Sequence, residues 1–338
     1  MERDPSDCAG SKNLFDSNLQ YLLITKMILC VAAIILAVVA VCVECHKWVF
    51  NINAKVVFYF HLVLMVIAPI TQFVPLLIDY LRLLNTTSDY CGHLMSNVQS
   101  VIIAMPSSVT GYLQTASIMA FFIDRAIATI WSKYYDRMTS CYLGVVLNLA
   151  TILFLTIVFV ILVVWPMDFT RQLLVPSSVF GLAEAGTMLM LATCTVVELP
   201  TIIGFYILKR YNAARVRKIS QTPEKTLSFR YQVRENLNVI SQVIPLFSCH
   251  LVILLLCVTG QVLVHFVFSA SKPSALSVLI EASKEIVLYP LCISIYIIVC
   301  HILHLRVGGS VTFSQSQAER HFNHLNDIWT RKQEEERY

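Results

Sequence analysis

The chain has 338 residues, of which 57% are apolar and only 14% are charged, whereas about 25% of residues are charged in an ordinary soluble domain. This composition excludes a typical soluble globular domain and favours a protein that spans a membrane. The formal net charge of +4 does not indicate a nucleic-acid partner, because the basic residues lie in loops where they are expected to contact the inner leaflet of a membrane.

Seven apolar stretches are long enough to cross a bilayer as helices, which requires about 20 mostly apolar residues. Because no water satisfies the backbone polar groups in lipid, only a helix fits runs of this length. The predicted fold is therefore all-α, a bundle of seven membrane-spanning helices. The predicted spans are Tyr21–Val43, Val56–Leu77, Val101–Ile123, Tyr142–Val164, Thr187–Leu208, Asn238–Val264 and Leu279–Leu303.

Lysine and arginine residues concentrate in alternate loops. The loops after spans 1, 3 and 5 contain thirteen of them, whereas the loops after spans 2, 4 and 6 contain three, Arg82, Arg171 and Lys272. Because basic residues accumulate in cytoplasmic loops, the N-terminus is predicted to lie outside and the C-terminus in the cytoplasm. Residues 1–20 then form a short extracellular N-terminus, residues 21–303 the membrane domain and residues 304–338 a cytoplasmic tail.

The predicted extracellular N-terminus shows no cleavable signal pattern, so the first span is expected to direct membrane insertion. It is also too short for a ligand-binding domain, since an independent core needs roughly 40 residues or more even with covalent staples. A small ligand is therefore expected to bind within the helical bundle, which it would enter from outside.

The outer face contains two candidate sites of covalent modification. Of 11 cysteines, only Cys8 and Cys91 lie clearly outside the spans, and a disulfide between them would tie the N-terminus to the start of span 3. The sequon Asn85-Thr86-Thr87 lies in the predicted first outer loop, where glycosylation of Asn85 requires it. Because a chance sequon is common in a chain of this length, the position of this one gives only mild support to the topology.

Span 3 is followed at its predicted cytoplasmic end by Asp124 and Arg125. An acid–arginine pair at this position is typical of rhodopsin-like receptors, in which a tyrosine normally follows, whereas Ala126 follows here. A cation at the membrane edge that exchanges partners can act as a switch: one state pairs Arg125 with Asp124, and the other releases it to a G-protein α subunit. The alternative is an interfacial arginine that extends to lipid phosphates.

Two further regions offer partners for this switch and for a ligand. Glu235 lies at the start of span 6 and is a candidate partner of Arg125, or simply an acid favourably placed at a helix N-terminus. Glu198, near the middle of span 5, is costly in lipid and is expected to face the bundle, where it contacts a ligand, makes a structural hydrogen bond or acts as a protonated switch acid. Tyr112 and Gln114 on span 3 complete the predicted ligand pocket.

The region before span 6 resembles a signature of nematode serpentine chemoreceptors of the Sra superfamily. The residues that carry this likeness are Arg230, Tyr231, Gln232, Glu235 and Asn236. The end of span 3 is similar to the same superfamily at Asp124, Arg125, Ala128 and Thr129, with Tyr135 and Asp136 after them, although a glutamate more often precedes the arginine. Glu198-Leu199-Pro200 and Asn212 in and after span 5 also fit.

The cytoplasmic tail favours one class within this superfamily. The pattern from Glu319 to Trp329 resembles the epsilon class (Sre) in particular, with the sister Srab and Sra classes left open. Within the tail, Phe322, Leu325, Ile328 and Trp329 fall on one helical face, which predicts a short amphipathic helix on the inner leaflet or against a partner helix.

The resemblance implies a G-protein-coupled receptor of sensory neurons that detects a small environmental molecule or a pheromone. It assigns coupling to Asp124, Arg125, Arg230, Tyr231, Glu235 and Asn236. The implied partners are a heterotrimeric G protein, a small-molecule ligand, the lipid bilayer and, as an open alternative, another chemoreceptor in a homo- or hetero-oligomer. The implied location is the plasma membrane of sensory cilia. No enzymatic activity, cofactor or metal is expected. The main rival function is a seven-span transporter of a small solute.

Overall fold

The computed structural model describes residues 17–44, 51–84, 95–135, 140–165, 172–173, 184–220, 227–268 and 288–299. The chain divides into two units, Met1–Ser294 and Ile295–Tyr338. The first unit contains the sites described below and every described helical residue up to Ser294. The second unit is described over residues 295–299, which are helical.

The described part of the chain is built from seven apolar helices. Six of them are α1 Ser17–Glu44, α2 Ile52–Leu84, α3 Asn97–Ile130, α4 Tyr142–Phe159, α5 Glu184–Ser220 and α6 Leu227–Phe268. The seventh, α7, is Leu288–Val299. A π-helix, Val160–Val164, continues α4, and a single helical turn, Ser132–Tyr135, follows α3. Two short strands, β1 Met95–Ser96 and β2 Gln172–Leu173, pair antiparallel with Met95 opposite Leu173.

The helices have the lengths and compositions of membrane spans. Six of them are long and apolar enough to cross a bilayer, and the described part of α7 is a shorter apolar helix. The predicted all-α bundle of seven membrane-spanning helices is therefore confirmed. Two helices continue well beyond the predicted spans, since α5 ends at Ser220 and α6 begins at Leu227. Hydropathy marks only the part of a helix that lies in lipid, whereas helical hydrogen bonding continues into the polar segments beside it.

The α4 helix shows how the bundle sorts residues between its interior and the lipid. Its buried side consists of Gly144, Asn148, Thr151, Leu155 and Phe159, at the spacing of a single helical face. Its other side exposes large apolar side chains. These are Leu149, Leu153, Phe154 and Ile157. A patch of this kind would be a liability in water, but lipid accommodates it, and the small or polar residues Gly144, Asn148 and Thr151 on the buried side suit helix packing in a membrane.

The α3 helix lies at the centre of the bundle. It packs against α2, α4, α5 and α6, while α1 packs on α2 and α5 packs along α6. An apolar cluster joins α3 to α4 and α5. It contains Ala104, Tyr112, Ala116, Leu155, Phe159, Met190, Leu191 and Cys194. Residues on α3 are therefore placed to interact with four other helices at once.

A glycine allows α4 to approach α2 closely. A Cβ atom added at Gly144 would lie 2.7 Å from the backbone oxygen of Asn53, and the backbone N–H of Gly144 donates a hydrogen bond to Asn53 Oδ1 at 3.1 Å. We expect Gly144→Ala to lower the free energy of unfolding by about 1–3 kcal/mol, because a backbone atom cannot give way to the added methyl group. Thermal unfolding of the purified protein in detergent measures this change.

A second glycine provides the control for this prediction. A Cβ atom at Gly204 would lie 2.6 Å from the ring of Phe122, which is only half-buried and can rotate away. Gly204→Ala should therefore destabilise the protein less than Gly144→Ala. Equal unfolding temperatures for the two variants would contradict a backbone-limited contact between α2 and α4.

Candidate functional site

A buried arginine lies near the end of α3 that the basic loops predict to be cytoplasmic. Arg125 is 2% exposed and Asp124 is fully buried. The guanidinium donates from Nε and Nη2 to Asp124 Oδ2 at 2.9 and 2.6 Å. The Tyr135 hydroxyl accepts from Nη2 at 2.8 Å and donates to Asp124 Oδ1 at 2.9 Å. The turn after α3 therefore folds back to close a three-residue ring of charge-assisted hydrogen bonds.

The α6 helix supplies the next contact of this arginine. Arg125 Nη1 donates to Asn236 Oδ1 at 3.2 Å, and Asn236 Nδ2 donates to Thr129 Oγ1 at 2.7 Å. From α5, Asn212 Nδ2 also donates to Thr129 Oγ1, at 3.0 Å. The polar contacts thus tie α3, α5 and α6 together. We call this group the arginine cluster: Asp124, Arg125, Thr129, Tyr135, Asn212 and Asn236.

Two further features stabilise the arginine cluster, one at the Tyr135 hydroxyl and one at Arg215 on α5. Burial raises the pKa of the Tyr135 phenol, so this hydroxyl keeps its proton and remains a donor to Asp124. On α5, Arg215 Nη1 donates to the backbone oxygen of Thr129 at 2.7 Å, and the guanidinium lies 4.9 Å from the centre of the Phe229 ring on α6. The cytoplasmic extensions of α5 and α6 are therefore attached to the end of α3 by a second cation.

Four phenylalanine rings pack above the arginine cluster. Phe121 on α3 lies 5.9 Å from Phe58, 6.4 Å from Phe205 and 5.7 Å from Phe247, measured between ring centroids. Phe205 and Phe247 are 5.5 Å apart. We call these four residues the aromatic layer. The Phe121 ring also lies 5.7 Å from the guanidinium carbon of Arg125, so the layer is in direct contact with the arginine cluster.

A second polar group lies on the other side of the aromatic layer. Glu198 on α5 is 1% exposed, and its two carboxylate oxygens lie 2.7 and 2.8 Å from Nδ1 of His250 on α6. Thr115 Oγ1 on α3 donates to the same carboxylate at 3.4 Å. The intramembrane carboxylate is therefore paired, as a charge inside a bilayer requires.

A buried histidine on α2 extends this group to α7. Ser117 donates its hydroxyl proton to the Gln114 backbone oxygen at 2.6 Å, so His61 Nδ1, 2.7 Å from Ser117 Oγ, must be the donor there. His61 Nε2 then accepts from the Tyr289 hydroxyl at 2.6 Å. The Tyr289 ring meets the His250 ring edge-on at 4.2 Å between centroids. We call His61, Ser117, Glu198, His250 and Tyr289 the histidine network.

A cavity opens beside the histidine network. Its volume is about 60 Å³, and α2, α3, α5, α6 and α7 all contribute to its wall. Tyr112 and Gln114, which the sequence predicts as pocket residues, line it together with Thr115, His250 and Tyr289. Glu198 lies behind this wall, where it is bound to His250 and Thr115. The cavity and the histidine network therefore share residues and form one site.

The same three helices connect the two polar groups. On each of α3, α5 and α6, one residue at the histidine network and one in the arginine cluster are separated by fourteen positions, about 21 Å at 1.5 Å per residue. The pairs are Thr115 and Thr129 on α3, Glu198 and Asn212 on α5, and His250 and Asn236 on α6. The aromatic layer lies between them. A displacement of one helix at the cavity would therefore act directly on the arginine cluster.

The chain matches the family model for "Serpentine type 7TM GPCR receptor class ab chemoreceptor" over residues 6–330. The chain belongs to this family. A comparison with curated proteins found no match. The resemblance to the Sra superfamily is confirmed, and the match supports class ab, one of the two sister classes left open. The epsilon class, which the tail pattern favoured, receives no support from this match.

The chemoreceptor brings together only some of the residues predicted for the switch. Asp124, Arg125 and Asn236 are in direct contact. Glu235 is half-buried and acts on Arg125 through its charge, whereas the hydrogen bond to Arg125 comes from the next residue, Asn236. Arg230 is half-buried on the first turns of α6.

Some predictions fall on parts of the chemoreceptor that the structure does not describe. Cys8, Cys91 and Asn85 lie outside the described residues, as do the tail helix and the side chain of Tyr231. Among the residues that are described, no group of three or more histidine, cysteine or acidic side chains could hold a metal ion.

Sequence reasoning missed His61, His250 and Tyr289 as members of the site. The available signal was a histidine inside an otherwise apolar span, which needs a buried partner as much as Glu198 does. Asn212 and Thr129 were recognised only as parts of the family pattern. Asn212 lies four turns from Glu198, and Thr129 lies four turns from Thr115, in each case on the same helical face. This spacing was a signal that the sequence contained.

Proposed function

We propose that this chemoreceptor binds a small environmental molecule or pheromone in the cavity of the helical bundle and activates a heterotrimeric G protein through its cytoplasmic face. The observation that carries the proposal is the arginine cluster, a buried cation near the end of α3 whose partners come from a neighbouring residue, the following turn and α6. A cation held by several replaceable partners is suited to a two-state switch.

Activation in this proposal begins at the cavity. A ligand that contacts His250 or Tyr289 changes the packing of α6 against α3 and α5. Asn236 lies about 21 Å from His250 along α6. Outward movement of the end of α6 that carries Asn236 separates this residue from Arg125 and Thr129. The freed guanidinium and the loop between α5 and α6 then bind the G-protein α subunit, which exchanges GDP for GTP. The ligand stabilises this arrangement only to the extent that it binds it more tightly than the resting one.

The setting of this mechanism is also part of the proposal. The N-terminus lies outside and the C-terminus inside the plasma membrane of sensory cilia, with the thirteen basic loop residues on the cytoplasmic side. The proposal also includes association with a second chemoreceptor. It assigns no covalent chemistry to the receptor. Stimulation of nucleotide exchange in cells that express the chain, across a panel of volatile, water-soluble and pheromone-like molecules, tests it directly. Solute flux into vesicles without nucleotide exchange would instead favour a transporter.

Removing the contact between α3 and α6 should activate the receptor without ligand. Asn236→Ala deletes the acceptor of Arg125 Nη1 and the donor to Thr129. A hydrogen bond to a charged group contributes about 1.5–3 kcal/mol, so we expect basal nucleotide exchange to rise by about tenfold. The measurement is GTP binding by a reconstituted G protein in the absence of ligand.

The same helix offers a matched control for this variant. Asn238 lies two residues further along α6 and is exposed, so Asn238→Ala should leave basal exchange at the wild-type level. Equal basal exchange in Asn236→Ala and Asn238→Ala, at the same surface density, would show that the α3–α6 hydrogen bonds do not hold the resting state.

A further inference from the structure

The cavity follows one face of α6 over three turns. His250, Ile253, Leu254, Cys257 and Gln261 line it, and their spacing of three or four residues places them in one row. From His250 to Gln261 the row extends about 16 Å along the helix axis. The polar side chains stand at its two ends, and the three residues between them are apolar or weakly polar.

The two polar ends of this row differ in whether their side chains have hydrogen-bond partners. At the end nearer the arginine cluster, His250 is bound to Glu198, and Tyr289 is bound to His61. At the opposite end, Gln261 is 4% exposed, and within the described part of the chain its buried side-chain oxygen has no hydrogen-bond partner. A buried carbonyl without a donor is uncommon and unfavourable. Gln261 therefore presents an unused acceptor to whatever occupies the cavity.

The walls of the cavity carry no free charge among the described residues. No aspartate, glutamate, lysine or arginine side chain lines it, and His250 is held against the Glu198 carboxylate. The hydroxyl of Ser107 and the side-chain oxygen of Gln72, which also line the wall, are hydrogen-bonded to each other. A carboxylate or ammonium group in this cavity would lose its hydration without gaining a counter-ion.

The size of the cavity limits the ligand. A volume of about 60 Å³ exceeds the roughly 10–15 Å³ that a single water molecule needs, so the cavity suits a small organic molecule. The apolar middle of the row is formed by Ile253, Leu254 and Cys257, with Leu191 of α5 also in the wall. These side chains offer an apolar surface to a short unbranched hydrocarbon chain.

We propose that the cavity selects small uncharged amphiphiles with a hydrogen-bond-donating head, such as short-chain primary alcohols, whose hydroxyl donates to the Gln261 side-chain oxygen while the alkyl chain lies along Ile253, Leu254 and Cys257. This inference rests on the proposed function, because it names the ligand class of the same site. Gln261 is the residue that determines specificity, since it distinguishes a donor from an ether or hydrocarbon of equal size.

Two isomeric probes separate donation from apolar burial. Pentan-1-ol and 1-methoxybutane have the same atoms, but only the alcohol can donate a hydrogen bond. We expect pentan-1-ol to raise the unfolding temperature of the full-length receptor in lipid nanodiscs, with an apparent Kd about tenfold lower than that of the ether. Pentanoate and pentylammonium should produce no shift. Equal shifts with the alcohol and the ether, or no shift with the alcohol, would overturn the proposal.

Substitution at Gln261 tests the residue itself. In Gln261→Leu the preference for pentan-1-ol over 1-methoxybutane should disappear while binding of the ether persists, which shows that the cavity is intact. Gln242 lies on the same helix and is exposed, so Gln242→Leu is a matched control that should retain the preference. A preference for the alcohol that survives in Gln261→Leu would contradict the assignment.

Because the unfolding assay contains no G protein, it tests ligand binding independently of G-protein coupling. If pentan-1-ol binds with the expected preference but never stimulates nucleotide exchange, the ligand class is supported and the coupling proposal fails. If other molecules stimulate exchange while pentan-1-ol fails to bind, the receptor function is supported and the assigned ligand class is wrong.

Discussion

Arg125→Ala is expected to abolish ligand-stimulated nucleotide exchange while the receptor still reaches the cell surface. The guanidinium is the group released to the G protein in the proposed mechanism, and alanine cannot replace its contact with the α subunit. The loss should exceed one hundredfold in the exchange rate, because a charge-assisted contact of about 3 kcal/mol or more is removed from the active complex. The assay is GTP binding at saturating ligand, scaled to receptor surface density.

Loss of stability has to be separated from loss of coupling in this variant. Arg125→Ala leaves Asp124 buried without its cation, which typically costs about 3–5 kcal/mol. The double variant Asp124→Asn and Arg125→Ala removes the unpaired charge and should recover stability without recovering exchange. Recovery of exchange by the double variant, or wild-type exchange in Arg125→Ala, would contradict a direct role of Arg125 in coupling.

The sequence was sufficient to predict the membrane helices and the chemistry of single residues. Hydropathy located the spans because lipid imposes a length and a composition on each of them. The acid–arginine pair at the end of span 3 predicted the contact between Asp124 and Arg125, and the high cost of a charge in lipid predicted that Glu198 faces the bundle. Arg125 and Glu198 are both buried and bound in the structure.

The partners of these residues on other helices could not be predicted in the same way. The identity of a partner depends on the rotation and relative depth of two helices, which packing sets and hydropathy does not. Glu235 and Asn236 are neighbours in the chain but point about 100° apart on a helix, and the hydrogen bond to Arg125 comes from Asn236. His250 lies 52 residues from Glu198, so only the packing of α5 on α6 brings them together.

The pair formed by Glu198 and His250 yields the second large expected effect. Both side chains are buried, and Nδ1 of His250 lies 2.7 Å from a carboxylate oxygen. We expect His250→Leu to lower the free energy of unfolding by about 3–5 kcal/mol, because it leaves a carboxylate in the bundle with only the weak Thr115 contact. Glu198→Leu should cost about 1–3 kcal/mol, because it leaves the ring nitrogen of His250 without its hydrogen-bond partner.

The double variant Glu198→Leu and His250→Leu decides whether the two residues act as a unit. If the cost of each single change is mainly the partner left behind, the double change should cost clearly less than the sum, with a coupling of about 1.5–3 kcal/mol in denaturant unfolding. Additive costs would mean that each side chain is held by other groups. A strong coupling would also mean that Glu198 and His250 form a stable contact between α5 and α6 at one end of the cavity. A ligand would then have to move α5 and α6 relative to α3 together, and the Asn212 and Asn236 contacts to Thr129 would break in the same step.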